Sequence, residues 1–271
     1  MGSPAPYYRG GNIMGTRSNW KSGKHNFWDN QINTTFPGGV WATCPLTAMA
    51  CDPTVAYEFF EDFMNWKGVA VATTAMAGWT VTQATAGAVT TSDSLQGGIL
   101  VMDSDSTTAT QGVQVQYTEG TLPFIPVADQ DIWFEVKLKV VDDAVLTEFF
   151  AGLSEADTSI ISGSANTSAN HIGWQCVTDD GVLLFSAEKA GAGATKASTT
   201  LVEATYVRLG FHVKGITSID HYVNGVKIAT SHVTANVPIV GLTPSFVCQS
   251  AGSSSEPILY IDWVRCVQIR A

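Results

Sequence analysis

Two carboxylates on one face of a strand could hydrolyse a glycosidic bond, one attacking while the other gives its proton to the leaving group. The acidic clusters of this chain are Glu58/Glu61/Asp62, Asp142-Asp143 and Asp179-Asp180. The first reads as helical, the second ends a strand and the third sits at a hairpin tip, so none has the required form. Glu135 stands alone on its strand beside lysines and reads as a solvent-face residue. Asp103-Ser104-Asp105 follows a strand and could bind calcium through oxygen ligands, but it lacks the glycine and distal glutamate of a helix–loop–helix site, and a solvated loop is the simpler reading. The histidines, His25, His171, His212, His221 and His232, are not paired at metal spacing. Cys44, Cys51, Cys176, Cys248 and Cys266 form no CxxC pair and read as reduced, mostly buried thiols. Gly191-Ala192-Gly193 has no Lys-Ser/Thr after it and is no phosphate loop. The expectation is a non-enzyme with neither metal nor cofactor.

Binding chemistry is better represented. The first fifty residues are rich in Gly, Asn, Ser and Pro, yet carry Tyr7, Tyr8, Trp20, Phe27, Trp28, Phe36 and Trp41 at no fixed period. A disordered tail would hold few aromatics. An arm that lies on another surface would hold many, because each ring buries a large area. Arg9, Arg17, Lys21 and Lys24 precede the first acid, Asp29; with a net charge of −10 overall, the rest of the chain carries about −14. That acidic body repels nucleic acid. The basic start is either a solvated tail or a dock for an acidic partner, and Tyr7, Tyr8, Arg9, Arg17, Trp20, Phe27, Trp28 and Trp41 are the partner-binding residues expected of it. Trp133, Trp174 and Trp263 are candidates for stacking on sugar rings by strand parity alone, and packing explains each equally well.

The elements that would position these residues follow from composition and period. The chain has 271 residues, 45% of them apolar but only 14% charged, against about 25% charged in a typical globular domain. Thr, Ser, Gly, Ala and Gln take the place of Lys and Glu, which favours many short strands over helices. No apolar leader is visible, and the longest uncharged run, Gly68 to Ser92, is broken by threonines and glycines, so no membrane span is expected. Asp52-Pro53-Thr54 reads as a helix start, and Phe59, Phe60, Phe63 and Trp66 at helical spacing predict an amphipathic helix. From about residue 69 the period is two: Ile132, Phe134, Val136, Leu138 and Val140 alternate with Trp133, Glu135, Lys137 and Lys139, and Val207, Leu209, Phe211 and Val213 with Arg208, Gly210, His212 and Lys214. Asp180-Gly181 and Asn224-Gly225 mark two-residue hairpins. The expected organisation is an extended arm over 1–51, a helix over 52–67 and an all-β, two-sheet antiparallel jelly-roll sandwich over 68–271.

The stretch from about Phe124 to Arg270 resembles the concanavalin-like lectin/glucanase jelly roll, the superfamily that includes laminin G-like domains. Its motifs are Ile132-Trp133-Phe134-Glu135-Val136-Lys137-Leu138, Tyr206-Val207-Arg208-Leu209-Gly210-Phe211-His212-Val213, the hairpin Tyr222-Val223-Asn224-Gly225, and the final strand Leu259-Tyr260-Ile261-Asp262-Trp263-Val264. They imply fold and say almost nothing of function. The Gly/Asn-rich start with Arg17-Ser18-Asn19-Trp20 and the ending Ile261-Asp262-Trp263-Val264-Arg265-Cys266-Val267-Gln268-Ile269-Arg270 are similar to virion structural proteins of tailed bacteriophages. That resemblance implies a capsid decoration or cement protein on the virion surface, made in the bacterial cytoplasm. Its partners would be the major capsid protein and symmetry-related copies of itself, a trimer suiting a local three-fold. The alternative is a carbohydrate-binding receptor-binding or adhesin module on a head or tail fibre, with surface glycans as partners.

Overall fold

A computed structural model describes residues 17–21, 24–28, 39–66, 75–76, 78–92, 97–118, 124–142, 147–162, 165–166, 168–177, 180–228, 232–252 and 256–270. Alternating apolar and polar residues give two antiparallel sheets that face each other. One has eight strands in the order β15 (Ala192–Thr200), β14 (Val182–Lys189), β13 (His171–Cys176), β10 (Thr147–Ser154), β20 (Thr243–Ser250), β8 (Gly112–Tyr117), β5 (Trp79–Ala84) and β4 (Ala75–Met76). The other runs β18 (Val226–Lys227), β17 (Ser218–Val223), β16 (Val207–Lys214), β9 (Ile132–Val141), β21 (Ile258–Ile269), β7 (Leu100–Asp103) and β6 (Ala88–Thr91), with β19 (His232–Val233) on β17 and β3 (Ala56–Glu61) on β21. Two small ribbons are hydrogen-bonded into neither sheet: β1 (Arg17–Lys21) with β2 (Lys24–Trp28), and β11 (Ile161–Ser162) with β12 (Ala165–Asn166). This is the jelly-roll sandwich expected from the strand pattern.

The core lies between the sheets. Phe134 and Phe211 stack with ring centres 4.7 Å apart, Trp174 meets Phe185 edge-on at 5.2 Å, and Trp79 stacks on Phe246 at 5.8 Å. Trp174 also donates its indole N–H to the Gly210 carbonyl at 3.2 Å, tying β13 of one sheet to β16 of the other. Asn224 and Gly225 both take positive φ, 49° and 77°, the turn that a two-residue hairpin between right-twisted strands demands. In β21 the register shifts between Ile261 and Trp263. The bulge lets Ile261 and Val264, three residues apart, both stay in the core.

The helix expected over 52–67 is not there. Asp52 instead closes a turn, its Oδ1 accepting from the Thr54 N–H at 2.9 Å, and Ala56–Glu61 forms β3 against β21. Tyr57 and Phe59 pack on the core while Glu58 and Phe60 are exposed, a period of two. Phe63 then takes φ 57° and the chain turns back, which returns Phe63 and Trp66 to the same core. Aromatics three and four apart are served by strand, turn and return as well as by a helix, and a run of aromatic side chains favours the strand. Among the described residues the α-helix is a short one, Leu46–Cys51, and no helix is long and apolar enough to cross a membrane.

Candidate functional site

The outer face of the eight-stranded sheet is polar. Gln114 and Gln116 of β8, Ser245 of β20, Ser154 of β10 and His171 and Gln175 of β13 occupy it, all buried. The cover is the chain's own segment 155–161. Gln114 accepts from the Ile160 N–H at 2.9 Å and donates to the Asp157 carbonyl. Gln116 accepts from the Asp157 N–H at 3.0 Å and donates to the Glu155 carbonyl at 3.0 Å. Ile160 and Ile161 then pack on Phe150, Val177 and Val247, sealing the middle of the face. Two carboxylates at the ends of this face, Glu148 and Glu188, are too far apart to cooperate. Glu148 pairs with Gln249 near one end of β10, whereas Glu188 of β14 is level, through His171, with Ser154 at the other. Six residues along and two strands across put them roughly 20 Å apart, while glycosidase pairs stand about 5–9.5 Å apart.

Part of the outer face of the nine-stranded sheet is covered by residues 39–51. Val40 is buried, and Trp41, Leu46 and Met49 pack with it on Trp133, Tyr222 and Val267. Trp41 donates its indole N–H to Glu135 Oε2 at 2.6 Å, lies under the Arg265 guanidinium at 4.8 Å, and Trp133 donates to Thr43 Oγ1 at 3.1 Å. Glu135 is therefore no solvent-face residue: it is 3% exposed. Burial pushes its carboxyl up in pKa, opposed by the Trp41 bond and by Arg208 and Arg265. Alternation placed its side chain correctly outward; the arm that covers it was invisible in the strand's own period.

Beyond this covered part the face is half-exposed. Arg208 of β16, Lys137 of β9 and Trp263 of β21 are register partners in one row, and Lys139 and Tyr260 pair in the next. Tyr206 precedes β16 alongside them. Lys137 reaches Asp262 at 2.6 Å and lies 4.8 Å from the Tyr206 ring centre. Lys139 sits between two rings, 5.1 Å from Tyr206 and 4.6 Å from Tyr260. Of the three tryptophans expected by parity, Trp133 and Trp174 are buried, and Trp263 alone keeps part of its surface in solvent. Lys139, Arg208, Tyr206 and Tyr260 were not singled out from the sequence. The outward parity of Lys137 and Lys139 on one strand and Tyr260 on its neighbour was the available signal.

The remaining candidates separate. Tyr7, Tyr8 and Arg9 lie outside the described residues, and Arg17, Trp20, Phe27 and Trp28 fall on the β1–β2 ribbon. Its register sets Arg17 opposite Trp28, Ser18 opposite Phe27 and Trp20 opposite His25. Trp41 lies on the chain's own sheet, as above. Asp103 Oδ1 accepts from the Asp105 N–H at 2.8 Å, closing its loop on itself. Among the described residues no group of three or more His, Cys, Asp or Glu side chains is placed to hold a metal ion. Cys176, Cys248 and Cys266 are buried cysteines, Cys44 is half-buried and Cys51 exposed.

No family model matches the chain, and no curated protein matches it. Solved structures do. A Shewanella oneidensis MR-1 protein of unknown function superposes with a TM-score of 0.56 at 14% identity, over 80% of this chain and 88% of that one. An endo-1,3-beta-glucanase from Streptomyces sioyaensis gives 0.52 at 14% identity, over 81% and 98%. Peanut lectin gives 0.50 at 11% identity, over 79% and 97%. At these identities the likeness is one of fold, the concanavalin-like sandwich, which is host to an enzyme and to a lectin alike.

Proposed function

We propose that this protein is a non-enzymatic structural protein of a phage virion, a capsid decoration or cement subunit attached through its aromatic N-terminal arm. The observation that carries the reading is the β1–β2 ribbon, which belongs to neither sheet. A lone two-stranded ribbon is marginal in water, and one bearing Arg17, Trp20, Phe27 and Trp28 gains most by lying on another surface. The eight-stranded face, closed by segment 155–161, supports a role without catalysis. The phage assignment itself rests on the resemblance of the two chain ends. Quantitative mass spectrometry of particles from the phage that encodes the chain tests it: hundreds of copies per particle are expected, and absence from the particle overturns it. In a binding assay on bare shells, removal of residues 1–30 is expected to abolish attachment; full coating by the truncated protein overturns the role of the arm.

A second reading is a carbohydrate-binding module on a head or tail fibre. It is favoured by the half-exposed Trp263, Tyr260 and Tyr206 on the open part of the nine-stranded sheet. Its test is binding of the intact chain to an array of neutral and charged glycans, and silence across the array would sink it.

A further inference from the structure

The open part of the nine-stranded sheet has a charge character unlike the rest of the molecule. Arg208, Lys137 and Lys139 stand on adjacent strands among Tyr206, Tyr260 and Trp263, on a chain of net charge −10 with 14 Lys and Arg in all. The three cations differ in what they face: Lys137 bonds Asp262, Arg208 makes no direct ion pair but feels the Glu135 carboxylate, and Lys139 makes no ion pair among the described residues. Lys139 is also fixed in place, its ammonium held between the faces of two tyrosines. An ammonium positioned by rings but left without a counter-charge is a prepared anion contact, because little side-chain freedom remains to be lost on binding. Each of these six side chains keeps part of its surface in solvent.

We infer that this face binds a carboxylated polysaccharide, a chain of uronate-type sugars; the inference rests on the carbohydrate-binding reading and gives it a site and a ligand class. The rings supply flat apolar surface for the faces of pyranose rings. Lys139 and Arg208 take the carboxylates on successive sugars, in rows two residues apart along the strand, about 7 Å. A neutral glycan would desolvate both cations without pairing them, which opposes its binding. A peptide of acidic residues alone could satisfy the charges but has no ring to lay on Tyr260 and Trp263.

The test uses the full chain and four soluble polymers: polygalacturonate, dextran, polyglutamate and dextran sulfate. Polygalacturonate is expected to bind, to weaken as salt is raised, and to lose affinity tenfold or more in the double variant Lys139→Gln/Arg208→Gln. A charge-matched control, Lys189→Gln/Lys196→Gln on the other sheet, is expected to bind as the parent does, and matching melting curves show that all three proteins are folded. Polygalacturonate binding that survives the double variant overturns the site. Polyglutamate or dextran sulfate bound as well as polygalacturonate overturns the sugar class in favour of general polyanion capture. If dextran or other neutral glycans bind and polygalacturonate does not, the inference fails while the carbohydrate reading stands; silence across the glycan array fails both.

Discussion

His221 and His232 are buried inside one edge of the sandwich with ring centres 6.1 Å apart. His221 stacks on Phe185 at 4.6 Å, and neither of its ring nitrogens has a hydrogen-bond partner. Burial pushes both pKa values down to about 4; at His221 the neighbouring His232 lowers it further, Asp220 opposes, and Lys196 and Lys227 add to the lowering, while Lys196 also lowers that of His232. His171, held by the Ser168 carbonyl and the Ser186 hydroxyl, is likewise pushed down to about 4 by burial. A histidine that stays neutral in the fold but charges freely when unfolded binds more protons in the unfolded state between its two pKa values. The folded state is therefore undiminished above pH 6.5 and loses stability as the pH falls from 6.5 towards 4, at most about 3 kcal/mol for each ring. Denaturant unfolding at pH 7 and at pH 5 should show a clear drop at the lower pH, smaller in His221→Phe, which keeps the stack on Phe185 and removes the titration. Equal stability at the two pH values would mean that these rings are not held neutral. Glu135, whose pKa is raised, works in the opposite direction and softens the drop.

At the level of elements, the legible parts were those in which a single strand reports its own environment. The alternation in β9, β16 and β21 was readable because one face of each is apolar. The edge strand β15 was not, since Ala192–Thr200 is a run of small and hydroxyl residues with no contrast between faces. The β3 segment was misread because its aromatic spacing is completed by a turn at Phe63, and that turn depends on a residue far along the chain. A Cβ at Gly98 would lie 2.2 Å from the backbone of Phe63 and Met64. Gly98→Ala must therefore push the β3 turn off the core, and we expect a loss of about 2–4 kcal/mol in denaturant unfolding, at the upper end of single-substitution effects. A loss under half of that would mean the turn is not pinned there. The cover on the eight-stranded face was equally hidden, because no pattern in Gln114-Val115-Gln116 says what the two amides bond. Gln116→Ala strands the Asp157 N–H, leaves the Glu155 carbonyl only the Ser154 hydroxyl as donor, and should cost about 1–3 kcal/mol. Amide exchange should quicken in residues 155–161 before it does in β8; unchanged exchange there would show that the amide does not hold the segment down.

Across the whole molecule, the division that matters falls within the N-terminal fifty residues. The β1–β2 ribbon pairs with no strand of either sheet, whereas residues 39–51 bury Val40 and press Trp41, Leu46 and Met49 on Trp133, Tyr222 and Val267. Composition differs between these two stretches, the first carrying Arg9, Arg17, Lys21 and Lys24 and residues 39–51 no charge at all, but it does not say which one packs on the chain's own sheet; what does is a buried acceptor, Glu135, on a strand ninety-four residues away from Trp41. Removing residues 1–30 should leave the melting temperature unchanged, since the β1–β2 ribbon is hydrogen-bonded to neither sheet. Removing 1–51 uncovers several apolar side chains, each worth about 1.5–3 kcal/mol when fully buried, and leaves Glu135 without the donor that satisfies it. For a domain of this size that corresponds to a fall in Tm on the order of 10 °C. Calorimetry of the two truncations, beside Trp41→Phe as the single-residue version, separates an arm that serves a partner from one that serves its own fold. Equal melting of both truncated forms would place all of the first 51 residues in the partner's service, and an unchanged Trp41→Phe would show that the indole bond to Glu135 does not anchor the segment.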